Sequence, residues 1–253
     1  MKKRKAGIVI FVIVLIITAV RIKSMDSHRI SGRILAENIA GPGMLRLVEQ
    51  SMQARARKTS VTEIAVKERK YPQAALTFDD GPDIRYTPLL DGLKERNVRV
   101  SFFLLGEKVE QYPELVERMQ KEGHLVGNHT YHHVQLDKLN ETKAREEILK
   151  TNNLIYETTG VYPLYLRPPF GAWKKNLELC VEMLPVFWTI DTLDWKVQNT
   201  EKIVRTVQEQ IEDGAIILMH DEYDTSVEAA LQVVDELKNQ GYELVTVDQL
   251  ILP

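Results

Sequence analysis

Cysteine is almost absent from this chain of 253 residues, in which Cys180 is the single example. One thiol excludes an internal disulfide and any metal site built from several cysteines. Cys180 lies in the apolar pattern LELCVEML, which predicts a buried thiol on a helix rather than a nucleophile. A large charge of one sign is also lacking: the formal net charge is −3, which gives no electrostatic reason to expect a nucleic-acid partner.

Hydrophobic and charged residues are present in ordinary proportions. They make up 44% and 27% of the chain, which is typical of a globular protein and not of a disordered one. A chain of this length is also long enough to bury the full core of one α/β domain.

The N-terminus carries a basic cluster, Lys2 to Lys5, followed by an uncharged apolar run from Ala6 to Val20. As a helix, this run would span roughly 22 Å, which is short for a bilayer but extendable if Arg21 and Lys23 snorkel. We expect residues 1–23 to form an uncleaved, single-pass membrane anchor. The positive cluster would then stay cytoplasmic, with the rest of the chain on the extracellular face. A cleaved signal peptide, giving a secreted protein, is the alternative.

Two further regions follow. Residues 24–72 contain short apolar stretches, a Gly-Pro-Gly break and many basic residues, and they are interpreted as a stalk or linker. Residues 73–253 alternate between apolar strand patterns and helical patterns about seven times. This alternation predicts a single α/β domain with parallel strands.

Chemically active side chains follow the predicted strands at their C-terminal ends. In barrels of parallel strands, active sites gather at that edge, so five strands with the same feature predict a site there. The residues concerned are Asp79, Asp80, His129, Arg167, Asp191, Asp194, His220 and Asp221.

The stretch LTFDDGPD places the carboxylates of Asp79 and Asp80 side by side. On a continuing strand they would point to opposite faces. Gly81 and Pro82 break the strand pattern, so both side chains could turn toward one site. The simpler interpretation is a strand that ends in a turn, where these residue types are common.

The stretch NHTYHH contains three of the six histidines in the chain. His129 and His133 have the spacing that places two side chains on the same side of a helical turn, where both can reach one metal ion. With one aspartate they would make a site of two histidines and a carboxylate, for which zinc fits best chemically. A polar turn with surface histidines is the alternative.

Three other segments allow both a functional and a structural interpretation. Arg167 in LRPPFG could keep an aspartate ionised, or it could form a structural salt bridge at the edge of the sheet. Trp195 in DTLDW suits the apolar face of a sugar ring, or could fill the core. His220 at the end of IILMHD suits acid–base catalysis, or could be a satisfied core histidine.

Taken together and in this order, the five segments resemble the polysaccharide deacetylase family, which is the NodB-homology domain of carbohydrate esterase family 4. The resemblance covers roughly residues 73–253. Its motifs here are TFDDGP, HTYHH (the family's His-[Ser/Thr]-x-x-His pattern), RPPFG, DTLDW and LMHD. The fold that it implies is a distorted (β/α) barrel with about seven strands.

The resemblance implies one divalent metal ion, with zinc preferred and cobalt, nickel or manganese as alternatives. Asp80, His129 and His133 would be its ligands, and His132 would be a variable residue inside the motif.

The resemblance also assigns the proton transfers. Asp79 would be the general base that activates the attacking water, and Arg167 would hold it. His220 would be the general acid, oriented by Asp194.

For substrate binding, the resemblance implies that Trp195 and Leu218 line the pocket for the acetyl methyl group. Phe170 stands where the family has a tyrosine. Its backbone N–H would still serve the oxyanion, so we expect this departure to matter little.

The implied activity is removal of N-acetyl groups from amino sugars of a cell-envelope polysaccharide such as peptidoglycan. The membrane segment and the outside location favour this substrate. Deacetylation of an O-acetyl ester such as acetylated xylan, or hydrolysis of another amide, is the alternative within enzymes. A catalytically inert carbohydrate-binding domain is the non-enzymatic alternative; loss of Asp79 or His220 would favour it, and both are present.

Overall fold

The computed structural model describes residues 70–84, 86–173, 183–220 and 222–251. The predicted anchor or signal segment, residues 24–69 of the predicted stalk, Cys180 and Asp221 lie outside these residues. Among the helices of the described ranges, none is long and apolar enough to cross a membrane.

Strands and helices alternate along the described ranges. The strands are β1 (Gln73–Gly81), β2 (Ser101–Leu104), β3 (Leu125–Asn128), β4 (Tyr165–Leu166), β5 (Leu184–Pro185), β6 (Ile190–Asp191), β7 (Ala215–His220) and β8 (Glu243–Leu244). The α-helices are α1 (Tyr86–Glu95), α2 (Gly106–Gln111), α3 (Pro113–Lys121), α4 (Glu141–Thr159), α5 (Asp194–Val197), α6 (Thr200–Gln210), α7 (Asp224–Asn239) and α8 (Val247–Ile251). Short 3₁₀ turns cover Leu136–Lys138 and Pro169–Gly171.

The strands form one parallel sheet in the order β5-β4-β3-β2-β1-β7-β6, and β8 pairs with the start of β1. The seven strands of the main path curl into a half-barrel. The predicted α/β class with parallel strands is therefore confirmed. Strand β5 was not predicted from the sequence, because Leu184 is the last residue of LELCVEML, whose apolar residues have helical spacing.

Strand β1 is buried on both faces, as expected for a central parallel strand. Leu76 and Phe78 pack in the main hydrophobic cluster, together with residues of the surrounding helices. The alternate residues Ala75, Thr77 and Asp79 share the opposite face, because side chains alternate along a strand. On this second face Ala75 packs in a smaller hydrophobic cluster. Asp79 lies at the end of the same face, at the edge where the parallel strands β2 and β7 also end.

Several strands are shorter than the apolar stretches that contain them. In VFWTIDTLDW only Ile190–Asp191 is a strand, because Leu193 adopts a left-handed conformation (φ 51°) and Asp194 begins α5. In YELVTVDQL only Glu243–Leu244 is a strand, and a helix follows. That helix begins with half of a capping box, since the Thr246 amide donates to Gln249 Oε1 at 3.2 Å.

Candidate active site

A β-bulge brings the two adjacent carboxylates to one site. Strand β1 pairs Asp79 with Phe103 of β2 and then Gly81 with Leu104, so Asp80 is an extra residue without a partner in this ladder. Asp80 has a φ of 68°, a left-handed conformation that turns its side chain out of the strand alternation. The strand itself continues through Gly81, so the bulge, and not the end of the strand, reorients Asp80.

Asp80, His129 and His133 form a cluster with metal-ligand chemistry. Their ligand atoms all lie within 4.8 Å of one another, and Asp80 Oδ1 is 3.4 Å from the Nε2 atom of each histidine. This oxygen is buried and has no hydrogen-bond partner among the described residues. Burial raises the pKa of Asp80, but the neighbouring imidazoles outweigh it and hold the pKa well below its usual range. A buried carboxylate oxygen between two imidazole nitrogens fits a divalent ion such as zinc.

The surroundings of both histidines favour metal binding. His129 Nδ1 lies 2.6 Å from the backbone oxygen of Arg167. Because a carbonyl only accepts hydrogen bonds, Nδ1 is the donor in this contact and Nε2 is the ring nitrogen that faces Asp80. For His133, burial lowers the pKa against the opposing effect of Asp80, which favours the neutral imidazole that metals bind.

The predicted helical turn between the two histidines is wrong. Residues 129–133 form an irregular loop in which Thr130 (φ 68°) and His133 (φ 55°) are left-handed. These two conformations, rather than helical spacing, bring the His129 and His133 rings to a centroid distance of 5.0 Å. His132 takes another direction: its side chain is 58% exposed, and its Nδ1 is 2.8 Å from Glu147 Oε1.

Arg167 is fully buried and holds Asp79. Its Nη1 donates to Asp79 Oδ1 at 2.8 Å and to Thr77 Oγ1 at 2.7 Å, and its guanidinium lies 4.2 Å from the centre of the Phe103 ring. Burial lowers the pKa of Arg167 while Asp79 acts in the opposite direction, and an arginine remains protonated throughout the ordinary pH range. Asp79 Oδ2 lies 3.7 Å from His129 Nε2, so it borders the metal cluster.

Thr77 was not identified from the sequence. The available signal is a polar residue in the otherwise apolar stretch AALTF, two positions before Asp79 and therefore on the same strand face.

His220 lies opposite Asp79 in the register of β1 and β7. Its Nδ1 is 2.9 Å from Asp194 Oδ1, and its backbone amide donates to Asp194 Oδ2 at 2.7 Å. Burial lowers the pKa of His220, but the hydrogen bond and charge of Asp194 outweigh it and raise the pKa to about 9. His220 is therefore a protonated acid at neutral pH.

The three residues predicted for substrate binding differ in exposure. Phe170 is 67% exposed, is left-handed (φ 61°), and has its ring 4.6 Å from that of His133. Trp195 is 49% exposed and follows the buried Asp194 in α5. Leu218 is buried in β7, two residues before His220 and so on the same strand face.

This fold and site are typical of metal-dependent hydrolases, in which a bound ion works beside positioned acids and bases. The chain belongs to the polysaccharide deacetylase family, whose profile matches residues 67–186. The family resemblance found in the sequence is thereby confirmed.

Curated relatives and solved structures support this membership. The peptidoglycan-N-acetylglucosamine deacetylase PgdA of Listeria monocytogenes is 42% identical over 185 residues, which cover 73% of this chain and 40% of PgdA. The peptidoglycan-N-acetylmuramic acid deacetylase PdaC of Bacillus subtilis is 43% identical over 177 residues, or 70% of this chain and 38% of PdaC. A solved structure of PdaC superimposes with a TM-score of 0.70 at 41% identity, covering 72% of this chain and 91% of that one. The matched region thus spans about two fifths of the full length of PgdA and of PdaC.

Proposed function

We propose that this protein is a metal-dependent deacetylase that removes N-acetyl groups from amino sugars of a cell-envelope polysaccharide such as peptidoglycan. The main observation behind the proposal is that the adjacent carboxylates of Asp79 and Asp80 have different contacts. Asp80 directs an unpartnered buried oxygen at two imidazoles, while Asp79 is bound by Arg167. Adjacent acids in such different surroundings suit two different tasks, metal binding and proton transfer.

Asp80, His129 and His133 would hold the ion, with zinc as the metal proposed. A divalent ion supplies a water whose pKa falls from ~15.7 toward ~7 and a Lewis acid for the acetamide carbonyl. The chain itself supplies the base. Arg167 fixes Oδ1 of Asp79, which leaves Oδ2 beside the cluster to accept the proton of the attacking water.

His220 would protonate the departing amine. Asp194 accepts the hydrogen bond from Nδ1, so the proton on Nε2 is available to the leaving group. This division of roles resembles that of other hydrolases, in which a base and an acid of different pKa flank the reacting bond.

Phe170, Trp195 and Leu218 would bind the substrate. The exposed Phe170 ring beside His133 and the exposed Trp195 indole offer apolar faces suited to sugar rings, and Leu218 offers a small apolar contact for the acetyl methyl group. The backbone N–H of Phe170 would serve the oxyanion.

The relatives named above act on peptidoglycan according to their names, which supports the same class of substrate for this chain. We further propose that residues 73–253 are a catalytic domain with the distorted barrel of the family. Residues 24–72 would be a stalk, and residues 1–23 would anchor the chain in the cell membrane with the domain outside. A cleaved N-terminal segment would instead release the domain from the cell.

Acetate release tests the proposal. The full-length chain would be stripped of metal, reloaded with zinc, and incubated with peptidoglycan, with N-acetylglucosamine oligomers and with acetylated xylan. We expect zinc-dependent acetate release from the two N-acetylated substrates. Release from xylan alone would establish an O-acetyl esterase instead. No release from any substrate, with zinc demonstrably bound, would contradict deacetylation and favour hydrolysis of another amide or an inert carbohydrate-binding domain.

A further inference from the structure

The loop that carries both clustered histidines, residues 129–133, is held by a carboxylate outside the family motifs. We propose that Glu147 of α4 is a positioning residue for the metal site. By fixing this histidine loop, it keeps His129 and His133 convergent on Asp80. The inference rests on the metal site of the proposed function but extends to a residue that does not itself bind the ion.

Glu147 contacts the loop at its middle. Its Oε2 accepts hydrogen bonds from the backbone amides of Tyr131 (3.0 Å) and His132 (2.9 Å). Its Oε1 lies 2.8 Å from His132 Nδ1. The Glu147 side chain is only 16% exposed, so these charge-assisted hydrogen bonds are largely shielded from water.

The opposite side of the loop is held by the start of α2. The amide of Gly106 donates to the Thr130 carbonyl at 3.0 Å, and the amide of Glu107 donates to the Tyr131 carbonyl at 3.2 Å. The loop carbonyls are thus fixed by backbone donors of α2, whereas the acceptors for two of its amides come from one side chain on α4. Removing the Glu147 side chain would abolish the hydrogen bonds from α4 to the loop amides and leave those from α2 to the loop carbonyls in place.

The loop needs such support because its conformation is unfavourable. Thr130 and His133 both carry a Cβ atom and both are left-handed, which persists only where surrounding contacts impose it. The amides bound by Glu147 belong to the two residues between them. Relaxation of either backbone conformation would displace the His133 imidazole, which is the more exposed of the two clustered histidines.

Zinc affinity of the full-length chain, measured by isothermal titration, tests this role without reference to deacetylation. Glu147→Ala is expected to bind zinc about tenfold or more weakly, as is typical when a residue that orients metal ligands is lost. Glu147→Gln should retain most of the affinity, because its carboxamide oxygen can accept both amide hydrogens. Glu146→Ala, at the exposed neighbouring position of the same helix, is the matched control and should bind like the wild type.

Two further measurements refine the test: one separates positioning from general stability, and the other separates the two kinds of contact that Glu147 makes. The absorption spectrum of the cobalt-loaded chain should change in Glu147→Ala and not in Glu146→Ala, because it reports ligand geometry. His132→Ala, which removes only the imidazole contact, should bind zinc nearly as tightly as the wild type. If His132→Ala weakened zinc binding as much as Glu147→Ala does, the positioning role could not be assigned to the contacts of Glu147 with the backbone amides.

The proposal is overturned if folded Glu147→Ala binds zinc as tightly as the wild type. Should that variant fail to fold, Glu147→Asp replaces it: it keeps the charge but withdraws the carboxylate from the loop. Weaker zinc binding at an unchanged urea unfolding midpoint would then support the proposal, and unchanged binding would overturn it. A wild-type chain that binds no zinc would refute the metal site itself, which distinguishes that failure from a failure of the role of Glu147.

Discussion

Asp194 holds His220 at two points, with one carboxylate oxygen 2.9 Å from the imidazole Nδ1 and the other accepting the His220 backbone amide at 2.7 Å. The two contacts fix the direction of the ring as well as its protonation. Because Asp194 is fully buried, its charge acts on the imidazole with little screening by water.

Asp194→Asn is therefore expected to move the pH dependence of catalysis. The pKa of His220 is raised to about 9, so the acid form persists at neutral pH and is lost as the pH rises through that value. Without the charge of Asp194, the pKa falls toward the ordinary histidine value of 6.5. The alkaline limb of kcat/KM should accordingly move to lower pH, measured as acetate release across the pH range. An unchanged alkaline limb would remove His220 as the general acid.

Asp80→Ala should abolish tight zinc binding. Loss of a residue that only orients metal ligands typically weakens metal affinity about 10- to 100-fold. Because Asp80→Ala removes a ligand itself, its zinc affinity should fall by more than that. His132→Ala is the control, since His132 lies in the loop that carries the two clustered histidines but points to Glu147. Equilibrium titration with zinc compares the two variants. Wild-type affinity in Asp80→Ala would disprove its assignment as a ligand.

The sequence predicted the parallel α/β class because its signals were strong and local. Apolar runs separated by helical patterns predict parallel strands, and the ends of such strands lie at one edge of the sheet. Elements with weaker signals were misjudged. The β-branched stretch before Asp248 favours a strand, but the contact of Thr246 with Gln249 starts a helix there.

Candidate site residues could be named from the sequence, but their geometry could not. Adjacent acids and paired histidines indicated a metal site. Aspartate and histidine tolerate the left-handed conformation better than most residues, but this tendency is too weak to predict it at Asp80 and His133. Glu147 is a further example, because its contact with the loop depends on how α4 packs and not on any local pattern. Backbone strain and contacts between distant segments become visible only in the folded chain.

Asp79→Asn is expected to bind zinc normally and to lose turnover. The amide is nearly isosteric but cannot accept a proton as a carboxylate does, so kcat should fall by about 10²- to 10⁴-fold. Acetate release and zinc titration on the same preparation separate the two effects. Near-normal turnover would remove Asp79 as the base, and loss of zinc would mean that Asp79 contributes to the cluster directly.

Arg167→Met should destabilise the fold as well as stop catalysis, because it leaves Asp79 as a buried carboxylate without its charged partner. Breaking a buried ion pair by removing one partner typically costs about 3–5 kcal/mol. Arg96→Met is the matched control: Arg96 pairs with Asp235 at the surface, where such pairs contribute about 1 kcal/mol or less. Urea unfolding gives both values.

The double variant Arg167→Met with Asp79→Leu decides the cause of this loss. If the cost arises from an uncompensated buried charge, removing that charge as well should restore much of the lost stability, although activity stays absent. If the double variant is instead as unstable as the sum of the two single variants, then packing of Arg167 against Phe103 and its hydrogen bond to Thr77 account for the loss. In that case Arg167 stabilises the interior of the half-barrel largely independently of its contact with Asp79.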